Sequence, residues 1–250
     1  MFRGLVTAIR TLTAIPTPGR DTQHFADTIP WFPFVGGLLG GVLVFLVWGF
    51  GLLATTFNVA IWAEGIGVLL VILSALLTRG LHLDGIADWA DGFWGGHERE
   101  RTLAIMKDSF LGSYGVIALV MVLLAKWIAF VGIINQGQLL WILAAYLISR
   151  TIQVDLAVWF PYARKEGTAS SFVQDAKKIH WLIAFVGASF VLYWILGAIG
   201  VLALLVGWVL CRLMAYWAVR RVGGITGDIL GASCELIEVA ILCLPSFLGL

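Results

Sequence analysis

Long, uninterrupted apolar runs are the feature that most constrains this 250-residue chain. A helix needs about 20 apolar residues to cross the roughly 30 Å of hydrocarbon in a bilayer. Runs of about that length occur at 33–56, 59–78, 113–134, 139–159, 181–198, 200–219 and 229–249. They are continuous, whereas spanning β-barrels are built from short alternating segments. With a mean hydropathy of +0.96, the sequence predicts an all-α, polytopic transmembrane helix bundle of about seven spans.

The N-terminal segment MFRGLVTAIRTLTAIPTPGR precedes the first of these runs. It lacks a small-residue cleavage site after a long apolar core, so we do not interpret it as a signal peptide. Its spaced apolar and basic residues predict a short interfacial helix. The longest polar segment is the loop after residue 78. We therefore expect a single integral membrane catalytic domain over 1–250.

The basic residues predict how the bundle is oriented. If the spans alternate, 13 of the 16 Lys and Arg residues fall on one side of the membrane, and the opposite connections near 57, 136 and 199 carry none. Cytoplasmic loops are enriched in Lys and Arg. The basic side is therefore predicted to be cytoplasmic, with the N-terminus on that side.

The net charge and the cysteines give no indication of a nucleic-acid-binding protein or of a cysteine metal site. A net charge of +1 gives no reason to expect nucleic acid as a partner, since such proteins neutralise many phosphates. Cys211, Cys234 and Cys243 lie within or beside apolar runs at no metal-ligand spacing. We expect them to be small buried hydrophobic side chains. The oligomeric state is left open.

Three aspartates crowd the stretch LHLDGIADWADGFWGG, residues 81–96. Asp84, Asp88 and Asp91 are spaced by four and three residues, which places them on one face of a helix. Aspartate is also favoured at the start of a helix, but that explains one such residue and not three on one stripe. Carboxylates that retain room for water and substrate phosphate suit Mg²⁺. We predict that the three bind magnesium.

Several residues around this stretch are candidates for the same site. Asp108 follows in KDSFLGSYG, and the glycines and polar residues between allow the chain to return. His82 is either an aid to proton transfer or only a hydrogen-bonding partner. Arg79 and Lys107 bracket the cluster, where they would suit phosphate binding or else act as snorkelling residues at the interface.

Two further polar segments fall on the predicted cytoplasmic side. PYARKEG (161–167) contains Arg164, and GGITGDILGASCE (223–235) contains Thr226, Asp228 and Glu235. Glycines in these segments allow close backbone approach to a ligand. Glu235 lies two helical turns into the last run, where an acidic residue normally lines a polar cavity. Arg150 is its hypothetical partner.

Taken together, the motifs RGLHLDGIADWADGFWGG, KDSFLGSYG, YARKEG and GGITGDILGASCELIE resemble those of the cobalamin synthase (adenosylcobinamide-GDP ribazoletransferase) family. The likeness extends from RTLTAIPTP to the last apolar run. It implies a multi-pass enzyme of the bacterial inner membrane, dependent on Mg²⁺, with its active site on the cytoplasmic side. The implied reaction joins adenosylcobinamide-GDP to α-ribazole or its 5'-phosphate, giving adenosylcobalamin or its phosphate and GMP.

The resemblance also implies roles for the candidate residues. Asp84, Asp88 and Asp91 would hold the metal, and Asp91 or Asp108 would take the proton of the attacking hydroxyl, with His82 assisting. The substrate-binding candidates are Arg79, Lys107, Arg164, Thr226, Asp228 and Glu235. Which carboxylate is the base, whether one or two ions bind, and which residues hold the corrinoid are left open.

Two alternatives have different sequence requirements. CDP-alcohol phosphotransferases carry D-x-x-D-G, and Asp88, Asp91 and Gly92 reproduce that opening. The residues after Gly92 lack the Ala-Arg pair of that signature, which counts against this class. A proton-coupled transporter would join Glu64, Arg150, Arg212 and Glu235 into a relay near the membrane midplane. Most charges gather at one side instead.

Overall fold

The computed structural model describes residues 2–167 and 169–250, and its architecture is helical. The chain begins with α1 (Phe2–Leu12), and a 3₁₀ segment (Phe25–Trp31) leads directly into α2 (Phe32–Phe57). The remaining helices are α3 (Ala63–Leu77), α4 (Leu81–Gly95), α5 (Arg99–Ile105), α6 (Ser113–Gln136), α7 (Leu140–Trp159), α8 (Ser170–Val173), α9 (Lys178–Leu196), α10 (Ala198–Val222) and α11 (Gly227–Leu248). The predicted all-α fold class is confirmed.

Within the described residues, 6 helical segments are long and apolar enough to cross a membrane, or up to 7 if α3 and α4 together make one broken span. The 6 segments are 25–57, α6, α7, α9, α10 and α11. Their bounds lie close to those of the predicted runs. The prediction of a polytopic bundle with about seven spans is confirmed by length and composition.

The second predicted run, 59–78, differs from the structure. Helix α3 has 15 residues, a length of about 22 Å at 1.5 Å per residue. After it, Arg79 and Gly80 adopt left-handed backbone conformations, with φ of 54° and 67°. The chain bends by 88° between α3 and α4, so α4 runs across the end of α3 instead of extending it. Hydropathy does not reveal this bend, because apolar residues lie on both sides of it.

Helix α7 forms the centre of the bundle. It is buried along most of its length and packs against α2, α9, α10 and α11. The contact with α2 is close because Gly40 faces the α7 backbone, where an added Cβ would lie 2.7 Å from the Cα of Leu143. Small residues permit such approach between membrane helices. Cys211 and Cys234 are buried and Cys243 is half-buried, all as free thiols, which confirms the prediction for the cysteines.

The segments predicted to be cytoplasmic meet at one end of the bundle. Arg99 donates hydrogen bonds to the carbonyls of Val222 and Ala163, each at 2.9 Å. A parallel β-bridge joins Tyr162 to Ile225, so the PYARKEG and GGITGD segments are hydrogen-bonded to each other. We call this end, formed by residues 79–112, 160–167, 169–177 and 223–228, the basic face.

Candidate active site

Helix α4 crosses the start of α11 at very short range. A Cβ added to Gly85 would lie 2.9 Å from the carbonyl oxygen of Asp228 and 3.0 Å from the Cα of Gly231. Only glycine at this crossing allows the two backbones to come so close. The crossing therefore brings the acidic face of α4 next to the acidic N-terminus of α11.

A cavity of about 650 Å³ opens beside α4 at the basic face. Asp84 and Asp88 line it together with Arg79, and Ser109 and Leu111 line its other side. The segment after Lys107 therefore returns to the aspartates, as the sequence predicts. Asp108 itself is exposed, and its Oδ1 accepts a hydrogen bond from the Phe110 amide at 3.1 Å.

A second cavity, of about 400 Å³, lies between α4, α7 and α11. Asp84 and Arg79 line this cavity as well as the first one. The other residues that line it and bear on its chemistry are His82, Gln153 and Asp228, with apolar walls from Leu12, Phe32, Leu81 and Leu230. Asp84 thus forms part of the wall of both cavities.

Asp228 is held in place by its neighbours. Its Oδ2 accepts a hydrogen bond from Arg164 at 2.7 Å and another from the Thr226 hydroxyl at 3.3 Å. The same hydroxyl accepts the Ile229 amide at 3.2 Å, which makes Thr226 the N-cap of α11. Of the six predicted substrate-binding residues, Arg164 and Asp228 form an ion pair near the cavity, and the buried Thr226 caps the helix.

The charges around Asp88 favour a cation. Asp84, Asp228 and Asp91 all act on Asp88 electrostatically, and Arg164 supplies the one opposing charge among them. Within residues 2–167 and 169–250, no group of three His, Cys, Asp or Glu side chains stands ready to hold a metal ion. Mg²⁺ commonly uses one or two carboxylates and completes its octahedron with water and substrate phosphate. Asp84 lines both cavities, with Asp88 in one and Asp228 in the other, and a pair of these carboxylates fits that mode of binding.

Asp91 differs from the other aspartates of α4. It is buried, and its two carboxylate oxygens accept the backbone N–H groups of Gly112 at 2.7 Å and Gly115 at 2.9 Å. These amides belong to the first turn of α6, whose unpaired N–H groups favour a carboxylate. Asp91 was predicted to bind Mg²⁺ together with Asp84 and Asp88, but in the structure it lines neither cavity and caps α6 instead.

We expect Asp91→Ala to loosen the start of α6. The substitution leaves two amides without their charged acceptor, at a cost of about 2–3 kcal/mol in unfolding free energy. We expect faster amide hydrogen exchange at residues 112–116 and a lower Tm of the purified protein. Asp91→Asn retains one acceptor oxygen and should lose less. Unchanged exchange in both variants would contradict the capping role.

Glu235 lies in a buried cluster of four charges that we call the ion cluster: Lys126, Arg150, Glu235 and Glu238. Lys126 Nζ contacts Glu235 Oε2 at 2.5 Å and Glu238 Oε2 at 2.6 Å. Arg150 pairs with Glu238, so the hypothetical Arg150–Glu235 pair was wrong. The two cations and two carboxylates link α6, α7 and α11, and Glu235 lies apart from the residues that line the two cavities.

Sequence reasoning missed Lys126 and Gln153. A lysine within the apolar run 113–134 was a usable signal, because an ionisable residue in a spanning helix seldom lacks a partner. Gln153 gave no such signal. The residues of the hypothetical relay also separate: Arg212 pairs with buried Asp155 at 2.8 Å, and Glu64 is exposed at the start of α3.

The fold and the paired cavities define a class, namely a polytopic membrane protein with an acidic, arginine-flanked pocket at one face. A family profile described as Cobalamin-5-phosphate synthase matches residues 4–246. The chain belongs to this family.

Relatives along the whole chain agree with the profile. The chain is similar to proteins named adenosylcobinamide-GDP ribazoletransferase from Chlorobaculum parvum (45% identity, covering 96% of this chain and 94% of the relative) and Chlorobium phaeobacteroides (43%, covering 100% and 99%). A protein of the same name from Roseiflexus is 35% identical over 96% of this chain and 88% of its own. No solved structure matches the chain.

Proposed function

We propose that this protein is a Mg²⁺-dependent adenosylcobinamide-GDP ribazoletransferase of the bacterial inner membrane, with its active site on the cytoplasmic side. The observation that carries the proposal is that Asp84 and Arg79 line both cavities, with Asp88 beside them in the larger one and Asp228, paired with Arg164, in the smaller one. The family membership and the names of the relatives support the choice of substrates. The basic face supports the orientation.

The reaction is a displacement at phosphorus. A ribose hydroxyl oxygen of α-ribazole, or of its 5'-phosphate, forms a bond to the phosphorus that carries cobinamide. The bond between that phosphorus and the bridging anhydride oxygen breaks, and its electron pair leaves on the oxygen as part of GMP. The product is adenosylcobalamin or its phosphate, and the hydroxyl proton must pass to a base.

Each carboxylate has a position suited to one task. Asp88 and Asp228 would hold Mg²⁺ together with phosphate oxygens of the nucleotide. When bound, the ion would neutralise charge on the phosphates and on departing GMP. Asp84, which lines both cavities, would take the hydroxyl proton. Asp91 is unsuited to that role because both of its oxygens accept amides of α6.

Arg164 and Arg79 would contact the anionic substrate. Arg164 already neutralises Asp228 at 2.7 Å, so a phosphate that binds there would share this cation. Arg79 is anchored by a hydrogen bond from its Nη2 to the Arg10 carbonyl at 2.8 Å, and it lines both cavities. Guanidinium groups suit phosphate oxygens because their N–H donors are arranged as a fork.

The proposed activity is tested by following GMP in proteoliposomes. Purified protein should release GMP, and form the coupled corrinoid, only when Mg²⁺, adenosylcobinamide-GDP and α-ribazole are all present. Leaving out any one of the three is the matched control. No GMP with all three present would overturn the proposal, and release without the ribazole would indicate hydrolysis instead of transfer.

A further inference from the structure

Two residues that line the 400 Å³ cavity each carry a buried polar atom without a hydrogen-bond partner among the described residues. These atoms are Nε2 of His82 and Oε1 of Gln153. His82 is 1% exposed and Gln153 is 4% exposed. A buried polar atom without a partner is destabilising. A ligand that pairs with both atoms would recover that free energy.

The neighbours of His82 determine which of its two ring nitrogens carries the proton. Arg150 Nη2 lies 3.3 Å from His82 Nδ1. A guanidinium can only donate, so Nδ1 is the acceptor, and the proton of the neutral ring is on Nε2. Arg150 is itself held by Glu238 and by Ser149. The ion cluster thus orients His82 with Nε2 as its hydrogen-bond donor.

Gln153 presents the complementary atom. Its Nε2 donates to the carbonyl of Leu230 at 3.2 Å, which fixes the side-chain amide with Oε1 as the remaining acceptor. Gln153 comes from α7 and His82 from α4, so the two lie on different walls of the cavity. A donor and an acceptor that serve one cavity suit a hydroxyl group, which accepts one hydrogen bond and donates another.

We propose that this cavity binds the acceptor nucleoside, with one ribose hydroxyl accepting from His82 Nε2–H and donating to Gln153 Oε1. The inference rests on the proposed function and names the part of the site that takes α-ribazole. The apolar walls, which include Leu12 and Phe32, would pack the flat base, and Asp84 lines the same cavity for the reacting end. His82 and Gln153 are then positioning and specificity residues for the acceptor.

The first experiment measures acceptor binding without turnover. Binding of α-ribazole to protein in lipid nanodiscs, with no nucleotide present, is followed by calorimetry. His82→Leu and Gln153→Leu should each weaken it about tenfold or more, from the loss of one buried hydrogen bond. His82→Gln keeps an N–H donor and should stay within about threefold of wild type. Binding of adenosylcobinamide-GDP should be unchanged in all three variants.

The second experiment begins with ligand analogues on the wild-type protein, and this comparison does not depend on the folding of a variant. Three acceptor analogues, each lacking one ribose hydroxyl, are compared with α-ribazole. The analogue that lacks the hydroxyl paired with His82 should bind to wild type about tenfold more weakly than α-ribazole does. The same analogue should bind equally to wild type and to His82→Leu, because the hydrogen bond to His82 is absent in both cases. Equal binding of all three analogues to wild type would overturn the inference, as would a uniform effect of His82→Leu on every acceptor.

The two proposals fail in different ways. If GMP is released with all substrates but the variants bind α-ribazole as wild type does, the acceptor pocket lies elsewhere and the proposed function stands. If wild type neither binds α-ribazole nor releases GMP, the proposed function fails and the inference fails with it.

Discussion

Asp88→Asn is expected to reduce the rate of GMP release by roughly a thousandfold, a barrier increase of about 4 kcal/mol. The amide keeps the shape of the side chain and loses the charge that a cation needs. Asp88 lines the larger cavity and lies within electrostatic range of Asp84 and Asp228, so under the proposed function its loss would leave Mg²⁺ one carboxylate short. The measurement is kcat for GMP release at saturating substrates over a Mg²⁺ titration.

A readout independent of turnover accompanies this variant. Binding of Mn²⁺, followed by electron paramagnetic resonance in the presence of GDP, should weaken in Asp88→Asn and persist in Asp84→Asn, which loses the proposed base. Asp175→Asn is the matched control, because Asp175 is an exposed carboxylate on the same basic face. Normal turnover and normal Mn²⁺ binding in Asp88→Asn would show that the metal is held elsewhere.

Lys126→Met is expected to lower the free energy of unfolding by about 3–5 kcal/mol, the usual cost of removing one partner from a buried ion pair. Lys126 is 2% exposed, and its ammonium group lies between Glu235 and Glu238. Without it, two carboxylates share one remaining cation, Arg150, inside the bundle. The measurement is the Tm of detergent-solubilised protein, together with the yield of folded protein after extraction.

A charge-balanced double variant separates charge from packing. Lys126→Met combined with Glu235→Gln removes one charge of each sign and should recover more than half of the lost stability. Lys165→Met, an exposed change on the basic face, controls for loss of a lysine alone. A Lys126→Met protein with wild-type Tm would mean that the ion cluster contributes no net stability.

Apolar length was enough to predict most of the spanning helices. The helix α6, observed over Ser113–Gln136, and α7, observed over Leu140–Trp159, were predicted as 113–134 and 139–159. Burial in hydrocarbon depends on the average character of about 20 consecutive residues, which is a local property. The spacing of Asp84 and Asp88 likewise predicted a shared helix face, because helical periodicity is local.

Contacts between helices could not be predicted in this way. The helical periodicity of α4 determines the direction in which Asp91 points around the axis of α4. It does not determine which helix Asp91 contacts, because that depends on where α6 begins. The same holds for Arg150, which could have paired with either glutamate of α11 and pairs with Glu238. The bend after Leu77 was hidden because apolar residues occur on both sides of it.

The sequence by itself therefore determined that this chain is a multi-pass helical protein with an acidic stripe on one amphipathic helix, since length, hydropathy and periodicity are properties of consecutive residues. Only the tertiary structure decided which carboxylates share a cavity, because that depends on the register between α4 and α11 at the close approach of Gly85 and Gly231. It also decided the tautomer of His82, which depends on a guanidinium 68 residues away in the chain.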